Sequence, residues 1–274
     1  MINQIFAFLF GSIVGSFLNV CIYRLPKGES VVMPRSHCPV CNKTIRGYDN
    51  IPFLSYILLG GKCRFCKTGI SVRYFIVELV TALFFLFLYN QYGRYGLVFD
   101  CLSYAVLGCG LIVATFVDIQ LRIIPDEISV GGLIVGLLFG FLKGISLEPL
   151  AYRLSPFFHA FLGAIVGGGI IFLTGFFFDL VYFKMLKKPP VEGETSSMGG
   201  GDVKLLAMIG AFLGWQHAVL VFFLAPFFGI FIAIANLLIK KQHVIPYGPF
   251  LSLAAFLAIF RGSEIIGFLL RGIP

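Results

Sequence analysis

The 274-residue sequence is 58% hydrophobic and only 12% charged, and its 21 Lys and Arg against 13 Asp and Glu leave a net charge of +8. With a mean hydropathy of +0.95, it cannot be an ordinary soluble domain, in which roughly a quarter of the residues are charged. The positive charge would suggest nucleic acid in a soluble protein, but in a membrane protein it must first be tested against orientation.

Eight apolar stretches approach the roughly 20 residues that a helix needs to cross the hydrocarbon core. They lie at about 2–22, 72–90, 97–117, 127–143, 159–183, 203–215, 217–239 and 248–270. The chain therefore reads as an all-α polytopic membrane protein of about eight transmembrane helices embedded in lipid. The first stretch lacks a basic n-region and a small-residue cleavage pattern, so it reads as a retained span and not a removable signal. The sixth is short, as a tilted or partly re-entrant segment would be. With the N-terminus outside, the loops at 23–71, 118–126, 184–202 and 240–247 face the cytoplasm. These loops and their immediate flanks hold 16 of the 21 basic residues. That asymmetry predicts an N-out, C-out multi-pass protein and accounts for the charge without nucleic acid.

Glycines recur every fourth residue at Gly132, Gly136, Gly140 and Gly144, and as the pairs Gly11/Gly15 and Gly163/Gly167. Lipid gives helices little hydrophobic reason to associate, so small residues that admit a close neighbour are read as packing faces.

The only sizeable polar segment, 23–71, carries Cys38-Pro39-Val40-Cys41 and Cys63-Arg64-Phe65-Cys66. Two CxxC turns can place four sulfurs around one zinc ion. Two disulfides are the alternative, which the reducing cytoplasmic side disfavours. Lys43, Arg46, Lys62, Arg64 and Lys67 would balance the charge of a tetrathiolate zinc centre, and His37 stands beside Cys38 as a substitute ligand. With all four positions filled by protein, such a zinc ion is structural and not catalytic. Cys21, Cys101 and Cys109 lie in apolar spans and are expected to pack.

Carboxylates at membrane helices cost several kcal/mol unless paired or wetted, so Glu78, Asp100, Asp118, Asp126, Glu127, Asp179, Asp202 and Glu264 are all functional candidates. Orientation sorts them. Asp118 ends the third span and Asp202 opens the sixth, both on the cytoplasmic side, so the two can meet at one depth. Paired carboxylates share a proton; one can then activate water while the other protonates a substrate carbonyl. Gly199, Gly200 and Gly201, before Asp202, can take positive φ and admit a substrate backbone. Helix capping is the competing role for Asp202 and the stronger one for Asp126. Asp179 is a further candidate, and Arg261 with Glu264 reads as an internal ion pair.

Together these residues resemble the type IV prepilin peptidases of the GxGD aspartic protease group. The likeness rests on Gly15-Ser16-Phe17-Leu18-Asn19-Val20-Cys21-Ile22-Tyr23-Arg24-Leu25-Pro26, the paired CxxC loop, Asp118 with Ile124-Pro125-Asp126, Gly199-Gly200-Gly201-Asp202 with Lys204, and Pro246-Tyr247-Gly248-Pro249-Phe250. It implies Asp118 and Asp202 as catalytic residues, with Gly199, Gly201, Lys204 and Asp126 supporting the site. It also implies a zinc-bearing loop at Cys38, Cys41, Cys63 and Cys66. The implied reaction, at the inner membrane, is removal of a basic leader from prepilins or pseudopilins, followed by N-methylation from S-adenosylmethionine. On this reading residues 1–96 are the methyltransferase part and 97–274 a six-helix peptidase. No GxGxxG follows a strand to mark a donor site. The segment 184–197 reads as a mobile polar linker that presents Asp202. Without the resemblance, the carboxylates and glycine-broken helices would also suit a transporter, which places its carboxylates near mid-membrane, or a zinc-bearing assembly factor indifferent to Asp118→Asn and Asp202→Asn.

Overall fold

The polar loop and the membrane helices sort the chain into two compact units, Met1–Val117 and Asp118–Pro274. The computed structural model describes residues 2–145, 153–181, 198–239 and 246–271, so the polar segment 184–197 lies outside the described residues. The described residues are helical and include no strand.

In the first unit, α1 (Ile2–Arg24) packs along α3 (Val72–Gln91). At 23 residues α1 is roughly 34 Å long, enough to span the hydrocarbon core. Its buried face is Gly11, Ser12, Gly15, Leu18, Asn19 and Ile22, a helical spacing of three and four. A Cβ on Gly11 would lie 2.7 Å from Phe85 Cβ, and one on Gly15 would lie 2.8 Å from Glu78 Cα. The Gly11/Gly15 face is therefore the contact that the spacing predicts. Between the two helices runs the cysteine loop, with a 3-10 turn at Gly47–Asn50 and the one-turn helix α2 (Leu54–Leu58). α4 (Val98–Leu121) begins in this unit.

The second unit takes in the last turn of α4 and then α5 (Asp126–Ile145), α6 (Ser155–Asp179), α7 (Gly200–Leu213), α8 (Trp215–Ile239) and α9 (Gly248–Arg271). α7 is its centre, with Leu205, Leu206, Met208, Ile209 and Ala211 buried. α5 offers Gly132 to Met208 and Gly136 to Ala211 and Phe212, while α6 crosses α7 at Gly163 and Gly210. At that crossing a Cβ on either glycine would collide with the other's carbonyl oxygen. Gly163→Val should therefore push α6 off α7 and cost about 1–3 kcal/mol or more. A thermal melt of the purified protein in detergent is the check, and an unchanged melting temperature would contradict the close crossing.

Six helices, α1, α3, α4, α5, α6 and α9, are long and apolar enough to cross a membrane among the described residues. That makes a multi-pass α-helical membrane protein, without confirming the count of eight. α7 has only 14 residues, roughly 21 Å. α8 runs 25 residues, Trp215–Ile239, and is apolar over Trp215–Ile230. The predicted Arg261–Glu264 pair forms at 2.7 Å on an exposed face of α9.

Candidate active site and metal centre

α4 ends because Arg122 turns into the left-handed region at φ 56, its N–H still bonded to the Asp118 carbonyl. That places Asp118 in the last turn, where the helix dipole opposes a negative charge. Even so, Asp118 is buried, at 6% exposure. The compensation comes from another helix: the Gly248 N–H, at the start of α9, donates to Asp118 Oδ2 at 3.0 Å. Positive helix N-termini with free N–H groups are natural partners for carboxylates. A Cβ on Gly248 would stand 2.6 Å from that oxygen, so the approach needs glycine.

Asp202 lies in the first turn of α7, half-buried, with Gly199 as the N-cap. It is near enough to Asp118 for the two charges to act on each other, and near enough to Tyr247 for its charge to bear on the phenol. Ile124 joins the two sides. A Cβ on Gly201 would meet Ile124 Cβ at 3.2 Å, and one on Gly248 would meet Ile124 Cδ1 at 3.3 Å. Outside this cluster, Lys204 Nζ pairs with Asp126 Oδ1 at 2.6 Å, joining α7 to the start of α5.

The metal centre is in the first unit. All seven cysteines are free thiols. The sulfurs of Cys38, Cys41, Cys63 and Cys66 lie within 4.8 Å of one another, and Cys38 Sγ and Cys66 Sγ are 3.7 Å apart. Tetrahedral bonds of about 2.3 Å set sulfurs roughly 3.8 Å apart, so this group can hold one metal ion. The two CxxC turns are copies of each other. Cys38 N–H donates to Lys43 O and Cys63 N–H to Thr68 O; Asn42 N–H donates to Cys38 O and Lys67 N–H to Cys63 O. Asn42 and Lys67, each just past the second cysteine of its turn, both have positive φ. Backbone N–H groups of Cys66 and Phe65 draw the Cys63 thiol down to about 6, which favours the thiolate a metal requires. Lys43 and Arg46 from the first turn lie over the Phe65 ring of the second, at 4.7 and 5.5 Å. Arg64 forks onto Asp49 and holds that carboxyl below its usual range. His37 bonds to the Arg35 carbonyl and is not part of the four-sulfur group.

Residues 9–92 match the Bacterial Peptidase A24 N-terminal domain, and residues 105–234 match the Type IV leader peptidase family. The chain is 34% identical to the prepilin leader peptidase/N-methyltransferase of Aeromonas hydrophila over 286 residues, covering 94% of this chain and 90% of that protein. It is 32% identical to the enzyme of the same name in Pseudomonas aeruginosa, with the same coverage. Identity to the one from Neisseria gonorrhoeae is 32%, with 95% and 91% covered. The chain belongs to the type IV leader peptidase family. No solved structure matches it.

In this member of the family, the structure brings Asp118, Asp202 and Gly201 together and sets Lys204 and Asp126 beside them as an exposed pair. Two expectations change. Gly199 has φ −66, and Gly200 and Gly201 are helical, so none of the three takes positive φ; Gly201 serves by its missing Cβ. Asp202 does not cap α7, because Gly199 holds that position without a side-chain bond. Asp126 is the first residue of α5, and its carboxylate goes to Lys204. Asp179 closes α6, and Asp100 opens α4. Residue-by-residue reading gave Ile124 and the Gly248 N–H no part in the site. The Tyr247-Gly248-Pro249 run was the available signal, since proline is favoured in the first turn of a helix, where backbone N–H groups have no partner within the helix. An exposed ion pair contributes only about 0–1 kcal/mol. Lys204→Ala is thus expected to leave the detergent melting temperature within a few degrees and to slow leader cleavage only several-fold; a loss as deep as that of an aspartate variant would overturn its supporting place.

Proposed function

We propose that Asp118 and Asp202 are the catalytic dyad with which this leader peptidase cuts the basic leader from prepilins. The observation that carries this is the pairing of a buried carboxylate, held by a helix N-terminus, with a second carboxylate within range of its charge. Two carboxylates so placed do not both ionise readily and titrate as a unit. The ionised member takes a proton from water as the water oxygen attacks the scissile carbonyl. The protonated member donates to the carbonyl oxygen. As the tetrahedral intermediate collapses, the carboxyl that took the water proton gives it to the leaving nitrogen and the other carboxylate takes back a hydroxyl proton, so the C–N bond breaks to a free α-amine and a carboxylic acid. The missing Cβ of Gly201 lets Ile124 pack against the first turn of α7, and the Lys204–Asp126 pair supports the α5–α7 frame. Cleavage of a purified prepilin by Asp118→Asn and Asp202→Asn variants tests the assignment.

The same chain N-methylates the processed pilin, as expected of its family. We assign this activity to residues 1–96 and cleavage to 97–274. We also assign zinc to the four cysteines as a structural ion, because a four-thiolate set of this spacing suits zinc and leaves no open position for substrate. The methyl donor is S-adenosylmethionine, which supplies an electrophilic methyl group. The bias of basic residues supports an inner-membrane protein with eight crossings, both termini outside and the dyad on the cytoplasmic face. α7 would be the short crossing, its first turn at the interface. The transporter and assembly-factor readings are not favoured, since the chain belongs to a peptidase family.

A further inference from the structure

Glu78 is a further carboxylate in a membrane helix, outside the dyad's unit and unused by the cleavage step. It sits on the face of α3 that meets α1, at 9% exposure, with Gly15 against its Cα. Glu78 Oε2 accepts the Phe53 N–H at 3.0 Å, and the Ser16 hydroxyl lies beside the same carboxylate. Both donors are neutral, and no basic side chain pairs with Glu78 among the described residues. A buried carboxylate without a cation is costly, several kcal/mol at membrane depth, and such groups mark function.

Two independent features stand next to it. Asn19, at 1% exposure, directs its Nδ2 at the Tyr74 carbonyl, 3.0 Å away, and at the Gly15 carbonyl, 3.4 Å away. Two carbonyl acceptors fix the amide in that sense, so its Oδ1 is the atom turned away, and it has no hydrogen-bond partner among the described residues. Tyr74 is one helical turn from Glu78 and Asn19 one turn from Gly15, so the two acceptors share one α1–α3 seam. The second feature is Phe53. This loop residue has φ 60 and ψ −53, and its ring packs against Phe8 of α1 and Phe75 of α3. A strained loop backbone is thus inserted beside membrane helices. Non-helical backbone persists at such depth where it is buried in protein or lines a wet cavity, and strain of this kind gathers at functional sites.

A carboxylate and an orphan amide oxygen form an acceptor-only pair, which suits a group with only hydrogens to give: a primary ammonium. We propose that Glu78 and Asn19 receive the new α-amino group of the cut pilin and that Glu78 takes its proton for methyl transfer. The inference rests on the methyltransferase assignment above and names its acceptor site. One N–H proton passes from the α-ammonium to the Glu78 carboxylate. The freed nitrogen lone pair forms the N–C bond to the methyl carbon of a methylsulfonium donor. The C–S bond breaks with its electron pair on sulfur, leaving a neutral thioether and a secondary ammonium. The site lies within two turns of the cytoplasmic end of α1 and in the second turn of α3, a depth that a pilin cut at that face can reach.

A bland role for Glu78 is to clamp Phe53, and Glu78→Gln separates the two, because a Gln carbonyl still accepts that N–H but carries no charge. The full-length enzyme in detergent is given a purified prepilin and the methyl donor, and leader loss and methyl gain are followed by mass. The expected result is cleavage within about twofold of wild type and methylation slowed at least about 100-fold, the scale of a lost general base. Asn19→Leu should likewise spare cleavage and slow methylation. As a readout without turnover, the wild type should bind a short apolar peptide with a free α-amino group at least tenfold tighter than its N-acetylated form, and Glu78→Gln should erase that preference while binding of a non-reactive donor analogue is unchanged. Near-normal methylation by Glu78→Gln, parallel loss of both activities, or loss of the donor analogue in place of the peptide would each overturn the proposal. A wild type that cleaves without methylating would instead sink the methyltransferase assignment beneath it.

Discussion

Asp118→Asn and Asp202→Asn are each expected to slow leader cleavage by about 1,000-fold or more, since each removes one partner of the proposed acid–base pair. Asparagine is nearly isosteric and can still accept the Gly248 N–H at position 118, so the fold should survive and the loss should fall on kcat more than on KM. The double variant should be little worse than either single one, because residues acting as a unit are strongly non-additive. Gel or mass detection of the cut pilin over long incubations is the measurement. A pilin supplied already cut provides the control: both variants should still methylate it. If either variant kept more than a tenth of wild-type cleavage, the dyad would be wrongly assigned. If cleavage and methylation of the pre-cut pilin vanished together, the aspartates would be holding the fold.

The second large effect concerns the four-sulfur group. Cys38→Ser or Cys63→Ser, or prolonged chelation, should release one metal ion per chain and collapse the paired turns. Structural zinc sites of this kind contribute folding free energy outright, with apparent zinc binding of roughly 10–16 kcal/mol in small peptides. Elemental analysis should find one zinc before treatment and none after. Limited proteolysis should then open residues 23–71, and methylation should fall further than cleavage. The reason is local: Phe53 and the cysteine turns belong to one loop, and that loop packs on the seam that carries Glu78 and Asn19. Equal loss of both activities would make the loop a scaffold for the whole enzyme. A different metal in stoichiometric amount would correct the assignment of zinc while leaving the site.

Much of this was legible in the residues because it depends on local composition. Apolar runs long enough to span a bilayer and two CxxC pairs need no knowledge of distant contacts. The glycine spacings were read correctly as packing faces for the same reason: Gly11 and Gly15 present one side of a helix whatever they meet. Errors arose where a property depends on the partner. Gly199 to Gly201 were expected to take positive φ and admit a substrate backbone, yet they are an ordinary helix start in which the missing Cβ of Gly201 makes room for Ile124. The sixth span was noticed as short, but its 14 residues lie among α5, α6, α8 and α9, where protein replaces lipid as the neighbour.

Residue types and their order were thus enough to point to a helical membrane protein, an uneven distribution of basic charge, four sulfurs able to hold a metal ion and two candidate aspartates, because hydropathy, charge and ligand chemistry belong to side chains wherever they sit. Only the tertiary structure decided what makes those groups usable. It set a helix N-terminus against Asp118 to offset an unfavourable place at the end of its own helix. It matched two CxxC turns 25 residues apart so that four sulfurs converge. It also buried Glu78 and the orphan oxygen of Asn19 in one seam. The physical reason is that burial and electrostatic compensation are exchanged between elements far apart in the chain, and no single segment carries both sides of that exchange.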